Sequence, residues 1–163
     1  RDGIDGVPRL LHVDRTKLVR SYISGQPMHR AKPDDIDWFN AASRLLRRLH
    51  CAGVSHNDLA KEPNLLVRDD GTPAIIDFQL AWHSHARGRL FRIAAHEDIR
   101  HLLKHKRSYC ADSLTRRERY ILANPSPLSR IWMATAKPVY LFITRRLLGW
   151  ADREGAGDRG SQN

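Results

Sequence analysis

The sequence is short of cysteine, short of acidic residues relative to basic ones, and lacks any long uncharged apolar run. Its two cysteines, Cys51 and Cys110, make neither a metal-type spacing nor a disulfide framework, which points to a reducing cytosol. The longest stretch of recurring apolar residues, Leu128 to Trp150, also carries Arg130, Lys137, Arg145 and Arg146, and this excludes a bilayer-spanning helix. Trp, Phe and Arg together there would suit either packing on the core or an interfacial helix, and Pro138 should kink or split it. No secretory signal is visible, and no internal repeat. Asp and Glu number 18 against 28 Lys and Arg, a formal charge of +10. That excess favours anionic partners such as nucleotide phosphates, anionic lipid, phosphorylated glycan or RNA, or else a merely solvated basic surface. The first residue is Arg1, not Met, and it stands inside an ongoing pattern, so a fragment of a longer chain is expected.

What is present fits a soluble globular protein. With 163 residues, 41% of them hydrophobic, and a mean hydropathy of −0.54, one domain with a real core is expected. Its centre is the stretch 56–78. Leu65 to Val67 and Ala74 to Ile76 are short apolar runs around the turn Arg68-Asp69-Asp70-Gly71-Thr72-Pro73, which predicts a hairpin. A tight hairpin returns its two ends to the same place, so Asn64 at the entrance and Asp77 at the exit should sit side by side. An amide oxygen beside a carboxylate is a hard-oxygen pair suited to Mg²⁺. Asp58 lies just upstream, in a loop that could face the same point. The bland alternative makes these carboxylates caps of turns.

Upstream, residues 1–12, with Gly3, Gly6 and the apolar run Val7 to Leu11 around Pro8, predict a loop entering a strand, Asp14 to Lys17 a polar turn, and Leu18 to Ile23 a second strand closed by Ser24-Gly25-Gln26-Pro27. Pro33-Asp34-Asp35 announces a helix. Ile36, Phe39, Ala42, Leu46 and Leu49 recur at helical spacing, Leu45 widens the stripe, and the helix should end near Gly53. Arg44, Arg47 and Arg48 fall on its other, solvated side. After Asp77 a basic loop with His83, His85, Arg87, Arg89 and Arg92 precedes a helix expected over Glu97–Lys106, with Ile99, Leu102 and Leu103 inward. His101 and His105 stand at i, i+4, but no third ligand accompanies them, which favours a solvated basic helix over a metal site. Thr115-Arg116-Arg117-Glu118 is a capping box opening a short helix, broken by Asn124-Pro125-Ser126-Pro127.

Taken together, His56-Asn57-Asp58-Leu59, Asn64 and Asp77-Phe78 resemble, in order and spacing, the catalytic core of the protein-kinase-like superfamily. Two departures stand out: the interval from Asp58 to Asn64 is one residue longer than usual, and Gln79 replaces the Gly that follows Asp-Phe. The short interval from Asp77 to Asp98, without Ala-Pro-Glu, leaves little room for a peptide platform. It is more similar to RIO kinases, aminoglycoside phosphotransferases and lipopolysaccharide-sugar kinases.

The resemblance covers roughly residues 4 to 123 and implies an α+β fold: a mainly helical C-lobe over 26–150 with a short catalytic hairpin, preceded by remnant N-lobe strands and hinge over 1–25 and followed by a disordered tail, 151–163. It implies an ATP-dependent, Mg²⁺-dependent phosphotransferase acting on a hydroxyl of a sugar, a lipid-linked glycan or a protein. Asp58 would orient and deprotonate that hydroxyl, Lys61 would neutralise the transferring phosphoryl group, and Asn64 and Asp77 would bind metal. The backbone of Ser21 and Ile23 would bind the adenine edge, and Asp98 would hold the catalytic loop by hydrogen bonds. No Gly-x-Gly-x-x-Gly and no strand Lys precede the hinge, so residues outside these 163 would supply them. The alternative is an inactive pseudokinase or binding module for RNA or an anionic membrane surface. The expected location is cytoplasmic, with room for peripheral attachment to the inner membrane.

Overall fold

A computed structural model describes residues 3–125, which fall in the first of the two units into which the chain divides, Arg1–Ser126. The segments expected as a kinked helix at Leu128 to Trp150 and as a disordered tail at 151–163 lie outside the described residues. The fold is α+β, with helices around small antiparallel sheets.

β1 (Leu10–Val13) and β2 (Leu18–Arg20) form an antiparallel ribbon with a register shift between Leu10 and His12. Its turn is closed by Asp14, whose Oδ1 accepts the backbone N–H of Thr16 at 2.7 Å and of Lys17 at 2.8 Å. Those donors, Thr16 first, hold the Asp14 carboxyl below its usual range. The second strand is shorter than the expected Leu18 to Ile23. At Ser21 the pairing passes to the side chain, whose Oγ accepts the Arg9 N–H, while the Ser21 N–H still donates to the Arg9 carbonyl. All residues of both strands are exposed, so this ribbon has no core on either face.

The core is built on α2 (Ile36–Cys51). Asp35 caps it by accepting the Asp37 N–H at 2.9 Å, and it buries Phe39, Ala42, Leu45, Leu46 and Leu49, as its spacing requires. Trp38 is buried as well, whereas Ile36 at the first turn is 43% exposed. Arg44, Arg47 and Arg48 are exposed. Against α2 packs a three-stranded sheet ordered β3 (Gln26–Pro27), β5 (Leu65–Val67), β6 (Pro73–Ile75). The hairpin is in register Leu65↔Ile75, Leu66↔Ala74 and Val67↔Pro73. The second strand therefore starts one residue earlier than expected and releases Ile76 to the site. Gln26 and Pro27, expected as a turn, instead pair with Val67 and Leu66 and lead into α1 (Met28–Ala31), whose Met28 is fully buried. Gly6 (φ +84°) runs so close to β6 that a Cβ there would lie 2.9 Å from the Pro73 carbonyl, and its own carbonyl accepts the Ile75 N–H.

β4 (Val54–Ser55) pairs with β7 (Trp82–His83) in a third small sheet, where no strand was expected. α3 runs over Arg89–Tyr109, eight residues earlier than the expected start at Glu97. Its basic first turns masked the apolar positions Phe91 and Ala95, which extend the buried face toward Asp98, Leu102 and Leu103. α4 (Arg116–Ala123) opens on the expected capping box, and Lys106 of α3, almost wholly buried, donates to Glu118 at 2.9 Å.

Leu46 is 1% exposed and Ile36 is 43% exposed, and this difference sets a test of the core. Leu46→Ala should cost about 2–5 kcal/mol in urea unfolding and Ile36→Ala well under half of that.

Candidate functional site

The site is a loop, residues 56–64, held between α3 and the open end of the β5–β6 hairpin. Asp98 on α3 is the first anchor. Only 1% exposed, its carboxylate accepts the backbone N–H of His56 on Oδ2 and of Asn57 on Oδ1, each at 2.8 Å, and the His50 Nε2–H at 3.1 Å. The hydrogen bonds expected of Asp98 are thus present. Three donors on one carboxylate offset its removal from water and fix where the loop begins.

His56 is the second anchor, and it is fully buried. Its Nε2–H donates to the Ile76 carbonyl at 2.9 Å, and its Nδ1 accepts the Asp58 N–H at 3.3 Å. Those two bonds fix the tautomer. They also tie Asp58 to the residue just before Asp77. The Phe78 ring packs edge-on against His56, with centroids 4.8 Å apart.

The trio sits on this frame. The Asn64 Nδ2 amide donates to both the backbone carbonyl of Asp58 (2.9 Å) and its Oδ2 (3.1 Å), and the Asn64 carbonyl accepts the Ile76 N–H (2.9 Å). Asn64 is therefore bonded directly to Asp58 and through its backbone to the neighbour of Asp77. Among the described residues neither the Asn64 Oδ1 nor the Asp77 carboxylate takes part in a hydrogen bond or ion pair. The Asn64 Oδ1 and the Asp77 carboxylate are oxygens of the kind a hard cation takes. No group of three or more His, Cys, Asp or Glu that could hold a metal occurs among the described residues, so the set reaches three oxygen-bearing side chains only by including the Asn64 amide. Lys61 places its Nζ 3.3 Å from Asp58 Oδ2.

Two residues of the site adopt left-handed backbone, Asn57 (φ +66°) and Asp77 (φ +64°). Such a conformation costs roughly 1 kcal/mol per residue and persists only where the surroundings impose it. Asn57 is held through its N–H by Asp98, through its Nδ2 by the Leu80 carbonyl (2.9 Å), and through its Oδ1 by the Ser55 hydroxyl. Asp77 follows Ile76, whose N–H and carbonyl are both bonded. Gly53 allows the segment after Asp77 to lie close by: a Cβ there would stand 2.7 Å from the Ser84 carbonyl.

Ser21 and Ile23 are not brought to this point. The Ser21 N–H is already engaged by Arg9. Ile23 lines a cavity of about 270 Å³ beside Arg68, Asp69 and Asp70, at the turn end of the hairpin. Asn64 and Asp77 lie at the open end, one three-residue strand away, a separation of about 10 Å.

The sequence reading missed the far half of the clamp. The His105 Nε2–H donates to the Leu59 carbonyl at 2.7 Å, and the Tyr109 hydroxyl donates to Glu62 Oε2 at 2.8 Å. His105 is thus a buried donor to the loop, and His101 is partly buried, where a solvated basic helix was expected. The available signal was the spacing of Asp98, His105 and Tyr109, polar residues recurring on the apolar face of α3. Burial holds His105 below its ordinary value despite the bond to Leu59, and burial followed by Lys104 pushes His101 down to about 4. Burial and then Glu62 push Tyr109 up to about 12.

A scan against protein-family models and a search of curated proteins each gave no match to this chain.

Asp98→Asn keeps the size but turns one acceptor into a donor facing an N–H. It should cost about 2–4 kcal/mol and speed amide exchange at His56 and Asn57 ahead of the core amides. Because the folded state resists protonation of His101 and His105, stability should be fully present above pH about 6.5 and fall as pH drops from there toward 4. His101→Gln should flatten that slope in urea midpoints measured between pH 7 and 5.

Proposed function

We propose that this chain is part of an ATP-dependent phosphotransferase of the protein-kinase-like superfamily, moving the γ-phosphoryl group to a hydroxyl acceptor. The observation that carries this reading is the joint fixing of Asp58, Asn64 and residues 76–77 by His56 and Asp98. A loop fixed only for stability has no need to leave the Asn64 Oδ1 and the Asp77 carboxylate uncommitted.

In this reading Asp58 orients the acceptor hydroxyl and takes its proton, and its own backbone N–H is held by His56 so that the carboxylate does not wander. Asn64 fixes the Asp58 Oδ2 from one side and Lys61 from another. The Lys61 ammonium stands where charge builds on the phosphoryl group in flight. The free oxygens of Asn64 and Asp77 would hold Mg²⁺, which when bound neutralises phosphate charge. The backbone at Ile23 is the better candidate for the adenine edge, because the Ser21 N–H is taken. A base at the turn end of the hairpin and phosphates at its open end suit the extended shape of a nucleotide. Such transfer depends on placement and charge more than on covalent help.

The reading also needs a Gly-rich loop and a nucleotide-binding Lys ahead of the hinge, and neither motif precedes Ser21; Gly155-Ala156-Gly157-Asp158-Arg159-Gly160 has the glycine spacing but follows the candidate site in the chain. The ribbon β1–β2, bare on both faces, suits strands that belong to a larger sheet. The acceptor is a sugar, a lipid-linked glycan or a protein hydroxyl, and the brevity of the segment after Asp77 favours the first two. A second reading, an inactive pseudokinase or binding module for RNA or an anionic membrane surface, draws on the engagement of Asp58 by both Lys61 and Asn64.

In a chain that includes the nucleotide-covering residues, Asp77→Ala should lower Mg²⁺-dependent ATP turnover by about 100-fold or more, and Asp58→Asn by a similar factor. Unchanged turnover in Asp77→Ala would refute the metal assignment. A wild-type thermal midpoint that does not respond to ATP with Mg²⁺ would favour the binding module.

A further inference from the structure

Between Asp77 and Glu97 the chain carries no acidic residue, and its outer part is both basic and apolar. Leu80 is 60% exposed, Trp82 41% and Leu90 58%. Arg89 and Arg92 are exposed and form no ion pair among the described residues. The α3 N-terminus that they occupy has no acidic residue in its first turn, so its positive end is not neutralised.

This segment is not loose. The Leu80 carbonyl accepts the Asn57 amide, the Ser84 N–H donates to the Gly53 carbonyl at 2.8 Å, and Arg87 donates to the Cys51 carbonyl at 3.5 Å. Trp82 meets Phe91 with ring centroids 6.2 Å apart, which brings the strand β7 beside the first turn of α3. Leucine and tryptophan side chains standing in water among unpaired arginines, on a tethered segment, have no counterpart in core packing.

We propose that residues 80–92 form a docking surface for an anionic lipid bilayer. The arginines match anionic headgroups, and the leucines and Trp82 enter the headgroup boundary, where a ring with one polar edge is favoured. RNA is the weaker fit: it would use the arginines and the ring, but it gives no reason to expose two leucines. The tether from Leu80 to Asn57, next to Asp58, would place the bilayer at the mouth of the candidate site. The docking itself does not depend on phosphotransfer.

The test is cosedimentation of the 163-residue chain with vesicles of phosphatidylcholine containing phosphatidylglycerol, and with phosphatidylcholine alone. Binding is expected on the anionic vesicles, weakening as salt rises. Arg89→Glu with Arg92→Glu should reduce partitioning about tenfold or more. Leu80→Ser with Leu90→Ser should reduce it several-fold while leaving the circular dichroism spectrum unchanged, since these side chains are exposed. Equal binding to both vesicle types, or undiminished binding by both variants, overturns the proposal. It is also overturned if the leucine pair leaves vesicle binding intact while the arginine pair abolishes binding to single-stranded RNA, which would mark the surface as an RNA interface.

Discussion

A carboxylate removed from water needs donors in place of the solvent, and the Asp98 carboxylate finds them in the backbone of another element. It accepts two successive N–H groups from the start of the 56–64 loop and the imidazole of His50 from the end of α2. The loop cannot shift without stranding a buried charge, and the charge cannot be removed without freeing the loop. Everything at the candidate site inherits its position from this exchange: His56 is set by Asp98, Asp58 and Ile76 by His56, and Asn64 by Asp58 and Ile76.

In the second half of the loop the direction reverses, and α3 supplies the donors. His105 and Tyr109 reach down the same helix to the Leu59 carbonyl and to Glu62. α3 thus acts as a splint, its buried face alternating between leucines that pack on α2 and polar residues that bind the loop. This explains why a helix that is strongly basic on its outside remains anchored. The same rigidity leaves the left-handed Asn57 and Asp77 with no easier conformation to relax into.

Rigidity of the inner site contrasts with two bare surfaces. The β1–β2 ribbon shows leucine and valine on both sides, and the segment 80–92 shows leucine and tryptophan among arginines. Both are more apolar than solvation alone would select. The first suits further strands of a sheet and the second an amphiphilic partner, and they lie in different parts of the chain.

Local chemistry in the sequence determined the elements whose causes are local. Asp35 and the stripe from Phe39 to Leu49 specify α2, Asp69-Asp70-Gly71 specifies the hairpin turn, and Thr115 with Glu118 specifies the start of α4. The adjacency of Asn64 to the end of β6 was legible for the same reason, since a hairpin returns to its origin. Tertiary structure alone decided the rest. The length of α3 was hidden because arginine and histidine surround Phe91 and Ala95, and only packing shows that these two face inward. β3, β4 and β7 are two-residue strands, too short for any alternation to register. The bonds from His105 to Leu59 and from Tyr109 to Glu62 span 46 and 47 residues, and no local pattern encodes which carbonyl or carboxylate a side chain will meet at that separation. Periodicity fixes which side of an element turns inward, whereas the partner waiting there depends on how distant elements come to rest against each other.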